Sequence, residues 1–138
     1  MAFKYALSAE QQTPTSDSKA ILVKSFKIDI ASGSGFLTAT AYPIGWLPKD
    51  AQVIAQNTVT QTVVSGGTVS AATLALTVGG NTIFSGTNVL ATGVSTGASI
   101  GIVSTGTGST DQVVSYTPTL TGAGATAGII YITLFYVV

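Results

Sequence analysis

The sequence predicts an all-β chain: an antiparallel β-sandwich, jelly-roll-like, with an extended N-terminal arm. Three observations lead there. Apolar and polar residues alternate with a period of two in one segment after another, and nowhere with the 3.6 period of a helix. Turn formers, above all paired glycines, separate these segments at short intervals, the spacing of a two-sheet fold. The polar residues are mostly short: 22 Thr and 14 Ser stand beside 16 Gly, against 5 Lys plus Arg and 5 Asp plus Glu. That set suits strands and turns and deprives helices of Glu, Lys and Arg.

A length of 138 residues fits one domain, and a chain of this size buries roughly 70% of its unfolded surface on folding. The expected division is an extended arm over residues 1–19 and a β-sandwich domain over 20–138. Residues 8–19, SAEQQTPTSDSK, hold no large apolar side chain and include Pro14, so they add nothing to a core. Ahead of them Phe3, Tyr5 and Leu7 alternate with Lys4 and Ala6. This is a strand-like pattern suited to pairing with another chain's edge, the alternative being a frayed terminus.

From Ala20 onward the strands follow in order. Leu22, Phe26, Ile28 and Ile30 share one side while Ser25, Lys27 and Asp29 share the other, as in a half-buried strand. FLTATAY, at 36–42, reads as the second strand. In GWLPKDAQV, Pro48 fixes its own φ and holds Leu47 extended, with Lys49 and Asp50 at a solvent corner. That corner aims a long strand. Along it Val53, Ala55, Val59 and Val63 are expected on the packed face, and Gln52, Gln56, Thr58, Thr60 and Thr62 on the wet one.

VSAATLALTV follows between Gly66-Gly67 and Gly79-Gly80, with Ala72, Leu74, Leu76 and Val78 inward. NTIFSG is next. In the Gly/Ser/Thr-rich stretch 91–110, Ile100, Ile102 and Val103 mark a strand between loops. DQVVSYTPTL and the turn TGAGA lead to GIIYITLFYVV, which is apolar on both faces. Ile129, Tyr131, Phe135 and Val137 form one face, and Ile130, Ile132, Leu134 and Val138 the other. Only a strand covered on both sides reads this way. A neighbouring subunit or a loop of the same chain would supply the outer cover, and the first makes Tyr131, Phe135 and Val137 candidate subunit-interface residues.

A formal net charge of zero argues against direct nucleic-acid binding and against anionic membranes, both of which need clustered Lys and Arg. A mean hydropathy of +0.53 with 7% charged residues, where about 25% is usual, implies a surface occupied by copies of itself or by a larger assembly. The chain has no His and no Cys, which removes the commonest general base, metal ligand and thiol nucleophile. Its acids, Glu10, Asp17, Asp29, Asp50 and Asp111, are all more than four residues apart. No enzyme activity, metal or cofactor is expected. GTGST, at 106–110, has neither the Lys nor the following helix of a phosphate loop. Trp46 and the tyrosines read as packing residues, or else as a sugar-stacking platform. The apolar run at 128–138 is too short to span a bilayer as a helix, which takes about 20 residues. MAFKYALSAEQQ lacks a signal-peptide core. The expectation is a soluble protein made in a cytoplasm.

LPKDAQV before a long Val/Thr strand, then ATLALTVGG, then GAGATAGIIYITLFYVV, taken in that order, resemble small β-rich virion proteins of tailed bacteriophages, capsid decoration or cement proteins among them. The resemblance spans residues 42–138. In that group the corner often reads Leu-Pro, one residue, then Gly-Ala; here Asp50 replaces the glycine, which implies a wider turn. The resemblance implies a jelly-roll-like module without catalytic residues. It also implies a homo-oligomer, typically a trimer, on the outer surface of the capsid, with the major capsid protein as partner. Bridging capsid subunits would be its task, with Phe3, Tyr5 and Leu7 as capsid-anchoring candidates, and synthesis would take place in the host cytoplasm. One alternative is a fibre or tail adhesion module binding a cell-surface glycan, which requires an exposed aromatic cluster at Trp46 and Tyr42. Another is a fibre subunit that exchanges strands into open polymers.

Overall fold

The structure, a computed structural model, describes residues 20–96, 103–104 and 110–138. Among these, nine strands and no helix form: β1 Leu22–Asp29, β2 Tyr42–Leu47, β3 Gln52–Ser65, β4 Ala71–Val78, β5 Asn81–Asn88, β6 Gly93–Thr96, β7 Val103–Ser104, β8 Gln112–Thr121 and β9 Ala127–Val137. They make two antiparallel sheets, one ordered β1-β9-β3-β6 with β7 also on β3, the other β2-β8-β4-β5. Taking β6 and β7 as two stretches of one position beside β3, this is the strand order of a jelly roll. The chain is all-β, as the period-two alternation predicts.

The core lies between the sheets. Phe26 and Ile28 of β1, with Ile130, Ile132 and Leu134 of β9, meet Leu74, Leu76 and Val78 of β4 and Val114 and Tyr116 of β8. On β4 the expected inward set, Ala72, Leu74, Leu76 and Val78, is buried throughout. On β9 the inward face is Gly128, Ile130, Ile132, Leu134 and Tyr136, while Val138 lies exposed beyond the strand. Gly128 has φ +151°, and a Cβ there would stand 2.9 Å from Ile30 Cδ1 and 3.1 Å from Val64 Cγ2. A side chain there would carry a strained backbone and push Ile30 and Val64 aside.

Two expected details are overturned. FLTATAY does not form a strand; β2 starts at its last residue, Tyr42. The segment carries the chain from one sheet to the other, and hydrogen bonds to β8 shape it: Ala39 N–H donates to Pro118 O at 2.8 Å, and Leu120 N–H to Thr38 Oγ1 at 3.0 Å. Thr40 N–H closes a turn on Leu37 O, leaving Ala39 at φ 59°. Tyr116 Oη donates to Gly35 O at 2.6 Å, and its ring stacks on Tyr42 at 5.3 Å. Burial, with the neighbouring Tyr42, pushes the Tyr116 hydroxyl up to about 12.

The second correction concerns β3. Its pairing with β9 slips between Val53 and Ala55, a bulge that turns the side chains from Ala55 to Thr60 to the opposite face. Val53 points inward as expected, but Gln56, Thr58 and Thr60 then follow it into the core, and Ala55 and Val59 lie on the outer side, partly buried. Thr58 Oγ1 donates to Gln56 Oε1 at 2.8 Å, while Gln56 Nε2 is buried without a partner. Further slips between Thr60 and Thr62 and between Thr62 and Ser65 accompany the return of Val64 to the core.

The corner after β2 is tight. Ala51 N–H returns to Pro48 O at 3.0 Å, so Asp50 does not widen it, and Gln112 Nε2 donates to Pro48 O and Lys49 O from beneath. Tight turns also occur at Gly66-Gly67 and Gly79-Gly80, where the sequence places them. Ile100, Ile102 and residues 106–109 of GTGST lie outside the described residues.

An orphaned buried amide costs about 1–3 kcal/mol, whereas replacing both partners of a buried pair by apolar groups of the same shape is close to neutral. The Gln56→Met/Thr58→Val double variant should thus be at least as stable as the wild type in urea denaturation. It should also exceed Gln56→Met alone, which strands the Thr58 hydroxyl, by about 1–2 kcal/mol.

Candidate assembly surface

The bulge in β3 and the doubly apolar β9 together build the outer face of the first sheet. Cross-strand register arranges it in rows over β1, β9 and β3: Val23, Phe135 and Ala55; Ser25, Thr133 and Asn57; Lys27, Tyr131 and Val59; Asp29, Ile129 and Thr62. Two rows are mainly apolar or aromatic, with a polar row between them. In that polar row Ser25 and Thr133 share a hydrogen bond of 3.1 Å, and Asn57 Oδ1 is shielded from solvent without a partner. The β9 residues of this face are partly buried by their neighbours, while Val23 on the edge strand is 57% exposed. Of the candidate interface residues, Tyr131, Phe135 and Val137 share this face.

Charge is confined to one corner. Lys27 Nζ lies 5.8 Å from the Tyr131 ring centroid and 3.5 Å from Asp29 Oδ2. Desolvation works against the Asp29 charge. It is outweighed by the Ser32 hydroxyl and backbone N–H, at 3.1 and 3.3 Å, and by Lys27, so the carboxyl sits below its ordinary value. Among the described residues no group of three or more His, Cys, Asp or Glu gathers.

The second sheet shows a different exterior. Thr73, Ala75 and Thr77 of β4 alternate with its buried residues, as do Ser115, Thr117 and Thr119 of β8, giving a face of short polar groups. Trp46 and Val113, paired in register at the end of β2, interrupt it at 53% and 38% exposure. Trp46 is therefore not the packing residue that the sequence predicts. A register shift between Pro43 and Gly45 turns it outward while Leu47 enters the core. Gly45 makes room for β1, because a Cβ there would lie 2.5 Å from the Phe26 ring. Tyr42 stacks on Tyr116 instead of joining Trp46, so the aromatic cluster required of a glycan platform does not form from these two. Phe3, Tyr5 and Leu7 lie outside the described residues. The outward positions of Ala55 and Val59 were missed in the sequence, since a bulge leaves no mark in composition.

Fold and surface thus define a class: a two-sheet jelly roll with one apolar exterior and one short-polar exterior. Two solved structures contain chains of this fold. One, from the capsid asymmetric unit of cyanophage Pam1, matches with a TM-score of 0.66 and 15% identity over 91% of this chain and 90% of that one. The other, from the capsid of Ralstonia phage GP4, matches with a TM-score of 0.57 and 20% identity over the same shares. No family model and no curated protein matches the chain.

Because the Asp29 carboxyl is held below its ordinary value, its contribution to stability is present above the unfolded value of about 3.9 and is lost as pH falls through the folded one. Asp29→Asn should lower the melting temperature at neutral pH. Calorimetry from about pH 7 down to 2.5 should show the gap to wild type closing below about pH 4.

Proposed function

We propose that this chain is a non-enzymatic structural protein of a bacteriophage virion that decorates the outer surface of the capsid and stabilises it by bridging capsid subunits. The observation that carries this reading is the apolar outer face over β1, β9 and β3 on a chain with almost no charge, a surface suited to burial against protein. Likeness in fold to chains of two phage capsids, over nine-tenths of each chain, supports it. The mechanism is mechanical. Each bridging contact adds buried area that a bare shell lacks, and many modest contacts together resist internal pressure. Tyr131, Phe135 and Val137 belong to the contact between copies, which close into a trimer. Residues 1–19 form the tether to the major capsid protein, with Phe3, Tyr5 and Leu7 filling a groove or adding a strand.

Sedimentation should show one discrete species of three times 13.8 kDa at micromolar concentration. A stable monomer or an open-ended polymer counts against the closed ring. Deleting residues 1–19 should leave the melting temperature and oligomer size nearly unchanged. Binding to undecorated shells should fall more than tenfold, about 1.4 kcal/mol, if one aromatic anchor is buried there. Undiminished decoration would move the capsid contact onto the sandwich itself.

A further inference from the structure

The two ends of the sandwich are unlike. Register places the start of β1, the close of β9 and the start of β3 at one end, where Leu22 pairs with Tyr136 and Gln52 with Val137. The close of β2 and the start of β8 lie there too, since Leu47 pairs with Gln112 and residues 48–51 carry the chain across to Gln52. Ile21, Leu22, Val23, Trp46, Val113 and Val138 stand exposed at this end. Lys24 Nζ donates to Trp46 O at 2.6 Å, which joins the groups from the two sheets across their edge. Among the described residues Leu37 is the one exposed large apolar side chain elsewhere, on the crossing between β1 and β2. The opposite end holds the turns at 66–70 and 122–126, tied together where Thr68 N–H donates to Ala123 O and Thr126 N–H to Ser65 O, each at 2.9 Å. The exposed residues of these turns are Gly, Ser, Thr and Ala.

The rim of the apolar end carries Lys24, Lys49, Asp50 and Asp111, all exposed. With both signs in balance, this end has no field to hold a polyanion or an anionic membrane. An apolar patch inside a mixed polar rim is the make-up of a contact with protein. Which protein follows from where residues 1–19 join the sandwich: at Ala20, inside the patch, next to Ile21 and Leu22. Residues 8–19 reach at most about 40 Å when fully drawn out, so a protein that holds Phe3, Tyr5 and Leu7 has this end of the sandwich within that distance.

We propose that the sandwich stands end-on on the capsid shell: Ile21, Leu22, Trp46 and Val113 lie against the capsid subunit that holds the arm, and the turns at 66–70 and 122–126 point away from the particle. This rests on the decoration reading of the preceding section and adds to it a docking surface and an orientation. End-on docking leaves the outer face of β1, β9 and β3 free for the contact between copies. In a ring generated by rotation about one axis, every copy turns the same end to the same side, so all the arms and all the apolar ends meet the shell together. An arm that seats brings its apolar end with it, and the second contact then forms at the high local concentration of a tethered group.

The test uses undecorated shells and the full chain. Ile21→Asp and Trp46→Asp each put a charge into the patch and leave the arm intact, while Ser70→Asp and Ala123→Asp put one at the opposite end. The first pair should bind shells at least about tenfold more weakly than the wild type, with melting temperature and sedimentation unchanged. The second pair should bind as the wild type does. Undiminished binding by the first pair overturns the proposal, and so does a loss of the oligomer in that pair, which would assign the patch to the contact between copies. A wild type that leaves the shells bare overturns the decoration reading itself, and the proposal with it. A second measurement covers variants that fail to fold. The chain has no cysteine, so Ile21→Cys and Ser70→Cys each offer a single thiol to a maleimide. On decoration, labelling should slow more than about tenfold in Ile21→Cys and stay unchanged in Ser70→Cys, as a buried and an exposed site require. Equal labelling of bound and free Ile21→Cys would sink end-on seating.

Discussion

One extra residue in β3, between Val53 and Ala55, decides what both sides of the first sheet are made of. Without it the Val/Thr strand would send Ala55, Val59 and Val63 into the core and leave Gln56, Thr58 and Thr60 in water. With it the polar set is buried, and Ala55 and Val59 face outward beside β9. The slip costs the core an amide nitrogen without a partner, an arrangement that packing alone does not favour. What it provides is an exterior on which Phe135, Ala55, Tyr131 and Val59 lie side by side across two strands. The apolar surface thus depends on a backbone irregularity as much as on composition.

A comparable irregularity shapes the other sheet. The shift between Pro43 and Gly45 turns Trp46 outward and Leu47 inward, and the hydrogen-bonded corner at Pro48–Ala51 then delivers the chain to β3. Gln112, at the head of β8, holds that corner from below through two carbonyls. The exposed tryptophan and the start of the bulged strand are thereby placed by one short stretch, residues 43–55. Substitutions there act on both exteriors together.

The legible part of the fold was the part without bulges. On β4, alternation reads straight through, because its pairing with β8 keeps an unbroken register from Ala71 to Val78. On β9, the inward face reads correctly at Ile130, Ile132 and Leu134, all buried, and the structure makes it an inner strand between β1 and β3. The long strand was misread for a physical reason. Val and Thr have nearly the same shape and both favour strands, so a Val/Thr run offers two acceptable phases and only the bulge selects one. FLTATAY failed differently: its β-prone composition yielded to hydrogen bonds with β8, accepted by Pro118 O and donated by Leu120 N–H, that no local pattern announces. Of the candidate surface, Tyr131, Phe135 and Val137 were readable on one face, whereas Ala55, Val59 and the outward Trp46 were not.

The position of β9 has a temporal consequence. β9 is an inner strand of its sheet, held between β1 and β3, which precede it by more than sixty residues, with Leu22 beside Tyr136 and Gln52 beside Val137. During synthesis β1 and β3 cannot pair with β9 until Ala127–Val137 has been made. The second sheet lacks that delay, because all four of its strands are complete by Thr121. Distant pairings of this kind close late and slowly, and until β9 is in place the facing edges of β1 and β3 lack it, a condition under which neighbouring chains aggregate. With few ionic groups to keep such intermediates apart, the eleven residues of β9 close both edges at once.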